Sequence, residues 1–305
     1  MRISRRILLQ RSAAGAAGLA LASHVRPVLG QSTPAATPVE AGPAALVTAD
    51  TLIPQVDDTQ LVAVMPATSF EAARIRGSIL LDWADLELAD TSEASVATWT
   101  EDMRQLVAVR GIRADRPTVL YDEGTLFSAR GWWQLAYLGY DLPRVLDGGL
   151  LAWAAAKGAV DAGPVEIAPV EAPVAEGPTV RRELLATKDE VLAALDDPGI
   201  ALLDVRAPNE YAAGHIPGAV NLPYTDNAAE ASPHLFKSPE VLREMYAAIG
   251  VTPDKRAITY CTTGVRGSVG FFSLMLAGFT DVALYVGSWN EWDNDPRLPQ
   301  EPASS

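Results

Sequence analysis

A single cysteine occurs in 305 residues. No internal disulfide can form, so the fold must rest on its cores. A lone cysteine is ordinarily a small buried hydrophobe, and only its surroundings can argue for more. Histidine is nearly as scarce, three in all, and with one cysteine that set makes no zinc site. Lys and Arg number 24 against 38 Asp and Glu, for a formal charge of −14. That balance excludes a broad nucleic-acid surface, so no nucleic-acid partner is expected. No apolar run reaches the ~18 residues of an ordinary membrane span. A Gly-x4-Gly-Lys-Ser/Thr phosphate loop is missing, and Gly264-x-x-Gly267-x-x-Gly270 lacks the dinucleotide spacing. Neither metal nor cofactor is expected.

What is present is a chain with 49% apolar residues, long enough for two ordinary domains. Residues 1–30 read as a targeting segment. Arg5 and Arg6 pair within Ser4-Arg5-Arg6-Ile7-Leu8-Leu9-Gln10, and a mild Ala/Gly/Leu run follows from Ala13 to Ala22. This order resembles a Tat export signal, with cleavage expected after Ala20-Leu21-Ala22 or near Gly30. The expected destination is periplasmic or extracellular, with no stable membrane span once the signal is removed. Residues 31–45 and 161–178 are rich in Pro and Ala and read as linkers. They bracket two domains, 46–160 and 179–298, and a tail covers 299–305.

The two bracketed segments repeat one another. Ile75-x-Gly77 matches Ile216-Pro217-Gly218, Tyr121-Asp122 matches Tyr260-Cys261, and Gly148 and Trp153 match Gly287 and Trp292. Only a small register change separates these blocks, as one loop-length difference would produce, and duplication is the simplest account. Strand-length apolar runs at 200–204, 257–260 and 282–286 alternate with helical segments. Thr187 and Glu190 have capping-box spacing. Ser238-Pro239 opens a helix that Gly250 should close, and another over 267–277 should stop at Gly278. The fold class expected is α/β, two similar domains, each a mainly parallel sheet flanked by helices on both faces.

Chemistry concentrates at Cys261-Thr262-Thr263-Gly264-Val265-Arg266, where a strand ends, a tight loop turns and a helix begins. Ligands of open α/β sheets gather at the carboxyl ends of strands. Small loop residues let successive N–H groups face inward as an anion cradle, and the helix start adds partial positive charge. Both favour thiolate over thiol, and both would hold a persulfide anion.

Three blocks of the second half resemble the rhodanese family. They are Asp204-Val205-Arg206-x-x-x-Glu210-Tyr211-x-x-Gly214-His215-Ile216-Pro217-Gly218-Ala219-x-Asn221, the loop Cys261 to Arg266, and Val286-Gly287-Ser288-Trp289-x-Glu291-Trp292. The first half is a worn copy, including Gly148-Gly149-Leu150-x-x-Trp153. The resemblance implies two rhodanese-like domains and a ping-pong sulfurtransferase that uses thiosulfate as donor and a thiophilic acceptor such as cyanide or a thiol. Cys261 would be the nucleophile. Asp122, its first-half counterpart, cannot carry sulfur, so that domain is expected to be silent and to wall the site.

Arg266 is read as a donor of paired hydrogen bonds to the sulfonate of thiosulfate, against the plainer reading of an ion pair that holds the loop. Asp204 and Arg206 are expected to brace the loop as a buried pair rather than act chemically. His215 is read as a turn-stabilising residue, with acid–base work the lesser reading. Trp289 and Trp292 could line the rim or pack in the core. Thr263 and Glu210 stand where the best-known animal thiosulfate enzymes carry cations, and the loop lacks the Gly/Ser pair of many mercaptopyruvate enzymes. Three rivals follow: a mercaptopyruvate sulfurtransferase, a persulfide carrier without turnover, and a phosphatase of the same fold. The last needs His-Cys-x5-Arg, whereas Tyr260 precedes this cysteine and the loop is one residue shorter.

Overall fold

Alternating apolar runs build two five-stranded sheets, each wholly parallel. The computed structural model describes residues 43–141, 143–165, 177–229 and 232–302. The expected export signal, most of the first linker and the middle of the second lie outside the described residues. In chain order the strands are β1 (Leu46–Val47), β2 (Gln60–Val64), β3 (Arg74–Ile75), β4 (Ile79–Leu81), β5 (Thr118–Tyr121), β6 (Arg144–Leu146) and β7 (Val160–Asp161), then β8 (Leu185–Ala186), β9 (Ile200–Asp204), β10 (Val220–Asn221), β11 (Arg256–Tyr260) and β12 (Val282–Tyr285). The helices are α1 (Ala49–Leu52), α2 (Ala67–Ala72), α3 (Glu93–Val109), α4 (Ser128–Tyr137) and α5 (Gly149–Ala155), then α6 (Lys188–Ala194), α7 (Pro208–Ala213), α8 (Pro239–Ala248), α9 (Val265–Leu276) and α10 (Ser288–Asp293).

The sheet orders, β1-β6-β5-β2-β4 and β8-β12-β11-β9-β10, are the same path traced twice. Side-chain alternation covers both faces of each sheet. Leu61 and Ala63 enter one core while Val62 and Val64 enter another. In the second half Leu202 faces one core, and Ala201 and Leu203 the other. Burial on both faces is why these strands are nearly all apolar. The repeat extends to single contacts. The Tyr121 hydroxyl accepts the Ile75 N–H at 3.0 Å, and the Tyr260 hydroxyl accepts that of Ile216 at 3.1 Å.

One core runs through both halves. It joins the inner faces of the two sheets by way of α4 and α9. The Trp132 ring meets Phe272 at 5.0 Å and Phe271 at 6.2 Å. Burying each such ring is worth roughly 1.5–3 kcal/mol, so neither half is complete without the other. Among the described residues no helix is long and apolar enough to cross a membrane.

The local signals act as the sequence suggests. Thr187 and Glu190 form the capping box of α6, Ser238 caps α8, and Gly250 and Gly278 take φ of +80° and +90° beyond their helices. Three boundaries differ. Asp161 pairs with Arg74 in the small β3–β7 sheet, so the second linker begins after it. The tail is tied back, because Glu301 bridges to His215 and the Trp292 indole donates to the Pro299 carbonyl at 2.8 Å. Val265 and Arg266, expected in the loop, are the first residues of α9, because the chain has already reversed at Gly264.

Matching glycines set how closely the central helices approach the sheets. A Cβ on Gly131 would lie 2.5 Å from Val64 Cγ2 and 2.7 Å from Leu120 Cδ2, and one on Gly270 would lie 2.7 Å from Val205 Cγ1. Gly131→Ala should therefore lower stability by about 1–3 kcal/mol, read as a lower urea midpoint at unchanged slope.

Candidate active site

β11 lies inside its sheet, between β9 and β12, and delivers Cys261 at its carboxyl end. The turn that follows needs Gly264. Its φ is +88°, and a Cβ there would lie 2.8 Å from the Val286 carbonyl oxygen, a conformation that side chains resist. The reversal aims the Gly264 N–H at Cys261 Sγ, 3.1 Å away. The next residue opens α9, so the positive end of its dipole lies at the loop.

The β12–α10 turn clamps the cysteine backbone. Cys261 N–H donates to Ser288 Oγ at 3.2 Å, and Ser288 Oγ donates to the Tyr285 carbonyl at 2.8 Å. The N–H groups of Trp289 and Asn290 donate to the carbonyls of Cys261 and Thr262 at 2.9 and 3.1 Å. Ser288 has φ +55°, and its first-half counterpart Gly149 has the same value. Cys261 is 1% exposed and belongs to the core shared with α4 of the first half.

Arg266 forms an ion pair across the loop. Its Nη1 and Nη2 donate to the two carboxylate oxygens of Glu210 at 2.7 and 2.8 Å, and Nη2 also donates to Thr262 Oγ1 at 2.6 Å. Thr262 Oγ1 donates in turn to Glu210 at 3.2 Å, and Glu210 accepts the Ala207 N–H at 3.1 Å. The pair closes on the loop residue Thr262. The Arg266 hydrogen bond lowers the Glu210 pKa to about 2, and the same bond raises that of Arg266. The Thr263 side chain makes no hydrogen bond among the described residues.

Asp204 and Arg206 form a buried pair, with Arg206 Nη2 at 2.6 Å from Asp204 Oδ2 and at 2.7 Å from the Gly214 carbonyl. The guanidinium lies 4.6 Å from the Trp289 ring centre and 5.8 Å from that of Tyr260. It fixes the end of β11 against α10 and makes no hydrogen bond to the thiol among the described residues. Trp289 is thus engaged with Arg206, and Trp292 is core. The His215 ring stacks on Tyr211 at 3.7 Å, with Nδ1 2.9 Å from the Tyr211 carbonyl and Nε2 3.7 Å from Glu301. That is a turn-stabilising position.

The first-half loop explains itself by contrast. Asp122 Oδ1 accepts the N–H groups of Gly124 and Thr125 at 2.6 and 2.8 Å, and Oδ2 accepts that of Ser128 at 2.6 Å. Its own carboxylate occupies the amide cradle.

Two residues gained no role from sequence. Ser288 has a signal in hindsight, since it aligns with a glycine of the worn copy. Glu291 binds the first domain: its carboxylate accepts Thr91 N–H at 2.8 Å and Thr91 Oγ1 at 2.7 Å, and Thr91 Oγ1 accepts the Lys188 N–H at 2.8 Å. Its partner lies 200 residues away, which spacing alone does not reveal.

The sequence profile of the Rhodanese-like domain matches residues 48–156 and 187–295. A Pseudomonas aeruginosa protein named "Probable 3-mercaptopyruvate sulfurtransferase" is 40% identical over 62% of this chain and 69% of its own length. A thiosulfate sulfurtransferase of the same species is 30% identical over 79% of this chain and 90% of its own. Among solved structures, the anaerobic ergothioneine biosynthesis enzyme from Chlorobium limicola superposes with a TM-score of 0.73 at 23% identity, covering 86% of this chain and 71% of its own, a likeness of fold alone.

The Glu210 pair gives an acid-stability signature. A carboxylate whose folded pKa is about 2, against an ordinary 4.5, stabilises the fold above pH ~4.5, and that stabilisation is lost as pH falls toward ~2. With the side chain 32% exposed, the contribution should be roughly 1 kcal/mol. Glu210→Gln should shrink the difference in urea stability between pH 5 and pH 2 by about that amount.

Proposed function

Since the chain belongs to the rhodanese family as two tandem rhodanese-like domains, and is a sulfurtransferase of that family, we propose that it moves sulfane sulfur from thiosulfate to a thiophilic acceptor through a persulfide on Cys261. The supporting observation is the Gly264 N–H aimed at Sγ at the start of α9, which favours an anionic sulfur over a neutral one.

In the first step the Cys261 thiolate attacks the outer sulfur of thiosulfate. A new S–S bond forms, the S–S bond of the donor breaks, and its electron pair leaves with sulfite. In the second, the lone pair of cyanide or a thiolate attacks the outer sulfur of the persulfide, and the Cys261 thiolate returns. No second cysteine exists to resolve the persulfide internally, so the acceptor comes from outside the chain. The first domain is silent in this scheme, because Asp122 is no sulfur nucleophile and its carboxylate already fills the cradle. The twin-arginine motif at Arg5 and Arg6 supports action outside the cytoplasm. A second reading takes 3-mercaptopyruvate as donor, favoured by the name of the relative at 40% identity.

Treatment with thiosulfate should add the mass of one sulfur atom to wild-type protein and nothing to Cys261→Ser. Thiocyanate formation should fall about a thousandfold or more in that variant, while Asp122→Ala keeps its turnover. Side by side, kcat/KM for thiosulfate should exceed that for mercaptopyruvate. The reverse order would install the second reading, a serine variant with appreciable turnover would remove both, and a single loading without turnover would make the protein a carrier.

A further inference from the structure

A cavity in the first domain has no part in the scheme above. It holds about 630 Å³, a size that small-molecule sites take. It lies at the amino ends of parallel strands: Gln60 begins β2, Ile79 begins β4, and Arg113 and Arg116 come just before β5. Cys261 and Asp122 follow the carboxyl ends of their strands, so the cavity is no relic of the duplicated cysteine loop. Val56, Leu61, Ile75, Ile79 and Trp153 line it with apolar surface.

Its charged lining runs against the rest of the chain. Acids outnumber bases 38 to 24 overall, yet Arg76, Arg113, Arg116 and Lys157 line the cavity against one carboxylate, that of Asp57. Arg76 pairs with Asp161 at 3.1 Å and Arg113 with Asp115 at 2.5 Å, both on exposed surface, where such pairs are weak and yield to another anion. Arg116 and Lys157 have no ion-pair partner among the described residues.

The fold alone does not call for these groups. The repeat alignment sets Pro217, Thr252 and Pro296 opposite Arg76, Arg113 and Lys157, and keeps a cation only at Lys255, opposite Arg116. Gln60, 6% exposed, accepts the Arg113 N–H at 3.0 Å and donates to Thr118 Oγ1 at 3.0 Å, which fixes the start of the cationic loop; its counterpart is Ala201. Lys157, just past the end of α5, has φ +64°, a left-handed turn that glycine adopts far more easily. Gly158 lies so close to Trp153 that a Cβ would strike the ring. The Trp153 and Trp292 indoles donate to the carbonyls of Ala159 and Pro299, which sets Gly158 opposite Leu298, and Leu298 packs on the second-half core.

We propose that the first domain binds a small organic anion in this cavity, with its apolar body against Trp153 and the aliphatic side chains and its negative group among Arg76, Arg113, Arg116 and Lys157. Burial of the body supplies attraction without regard to charge, and the cations select the sign. A lysine held in a left-handed turn fits a residue kept for binding rather than for stability. The site requires nothing of Cys261, so it stands independently of sulfur transfer.

The probe is anilinonaphthalene sulfonate, an aromatic body with one sulfonate, titrated into the full chain at low ionic strength and followed by its fluorescence. Wild-type protein should bind it saturably, and Cys261→Ser should bind it equally well. Arg116→Glu should weaken binding about tenfold or more. Lys157→Gly should weaken it about threefold while raising the thermal midpoint, because the strained turn is relieved. Lys255→Glu makes the same charge change at the matching position of the second half and should bind like wild type. Absence of saturable binding would overturn the inference. So would binding that Arg116→Glu and Lys157→Gly leave intact, binding lost in Cys261→Ser, or an equal loss in Arg116→Glu and Lys255→Glu, the mark of general charge repulsion.

Discussion

Aiming a peptide N–H at a sulfur atom requires the backbone to reverse within a few residues, and the second domain is arranged around holding that reversal. Only glycine fits at position 264, because the turn is left-handed and the Val286 carbonyl crowds the place of a side chain. Ser288 and the first N–H groups of α10 fix the peptide groups on either side of the cysteine. The Arg266–Glu210–Thr262 triangle holds the outer edge of the turn. Beneath it, Asp204 and Arg206 lock the neighbouring strand end to Trp289. Most charged residues near the loop are thus spent on geometry, and the polarity felt by the sulfur comes chiefly from the backbone and a helix end.

The two copies have diverged into unequal partners without coming apart. Their shared core places Trp132 of one against Phe271 and Phe272 of the other. The Glu291–Thr91–Lys188 chain adds a polar tie across the same boundary. With Cys261 buried at this junction, the environment of the thiol is a property of both domains.

Much of this was legible in the sequence, and the part that was not has a common cause. Strand and helix alternation, the Thr187 capping box, the Ser238-Pro239 helix start and the placement of Cys261 after a strand are local signals, decided by neighbours in the chain. The Arg266–Glu210 pair joins residues 56 apart, and Glu291 reaches Thr91 over 200; such pairings are set by how the copies dock, which periodicity does not encode. The cations of the first-domain cavity come from three separate segments of the chain, and only the fold brings them together. The short β7 strand at Asp161 exists only through its pairing with β3, and a composition rich in Pro and Ala conceals it.

The Asp122 loop has one more implication. Oxygen atoms of a carboxylate sit there in the grip of three main-chain amides, those of Gly124, Thr125 and Ser128. Through the alignment of the repeats, the corresponding amides of the working loop belong to Thr263, Gly264 and Gly267. The degenerate copy therefore serves as an internal template of the occupied state, drawn by the protein itself: it marks where negative charge settles once this kind of turn has taken its guest.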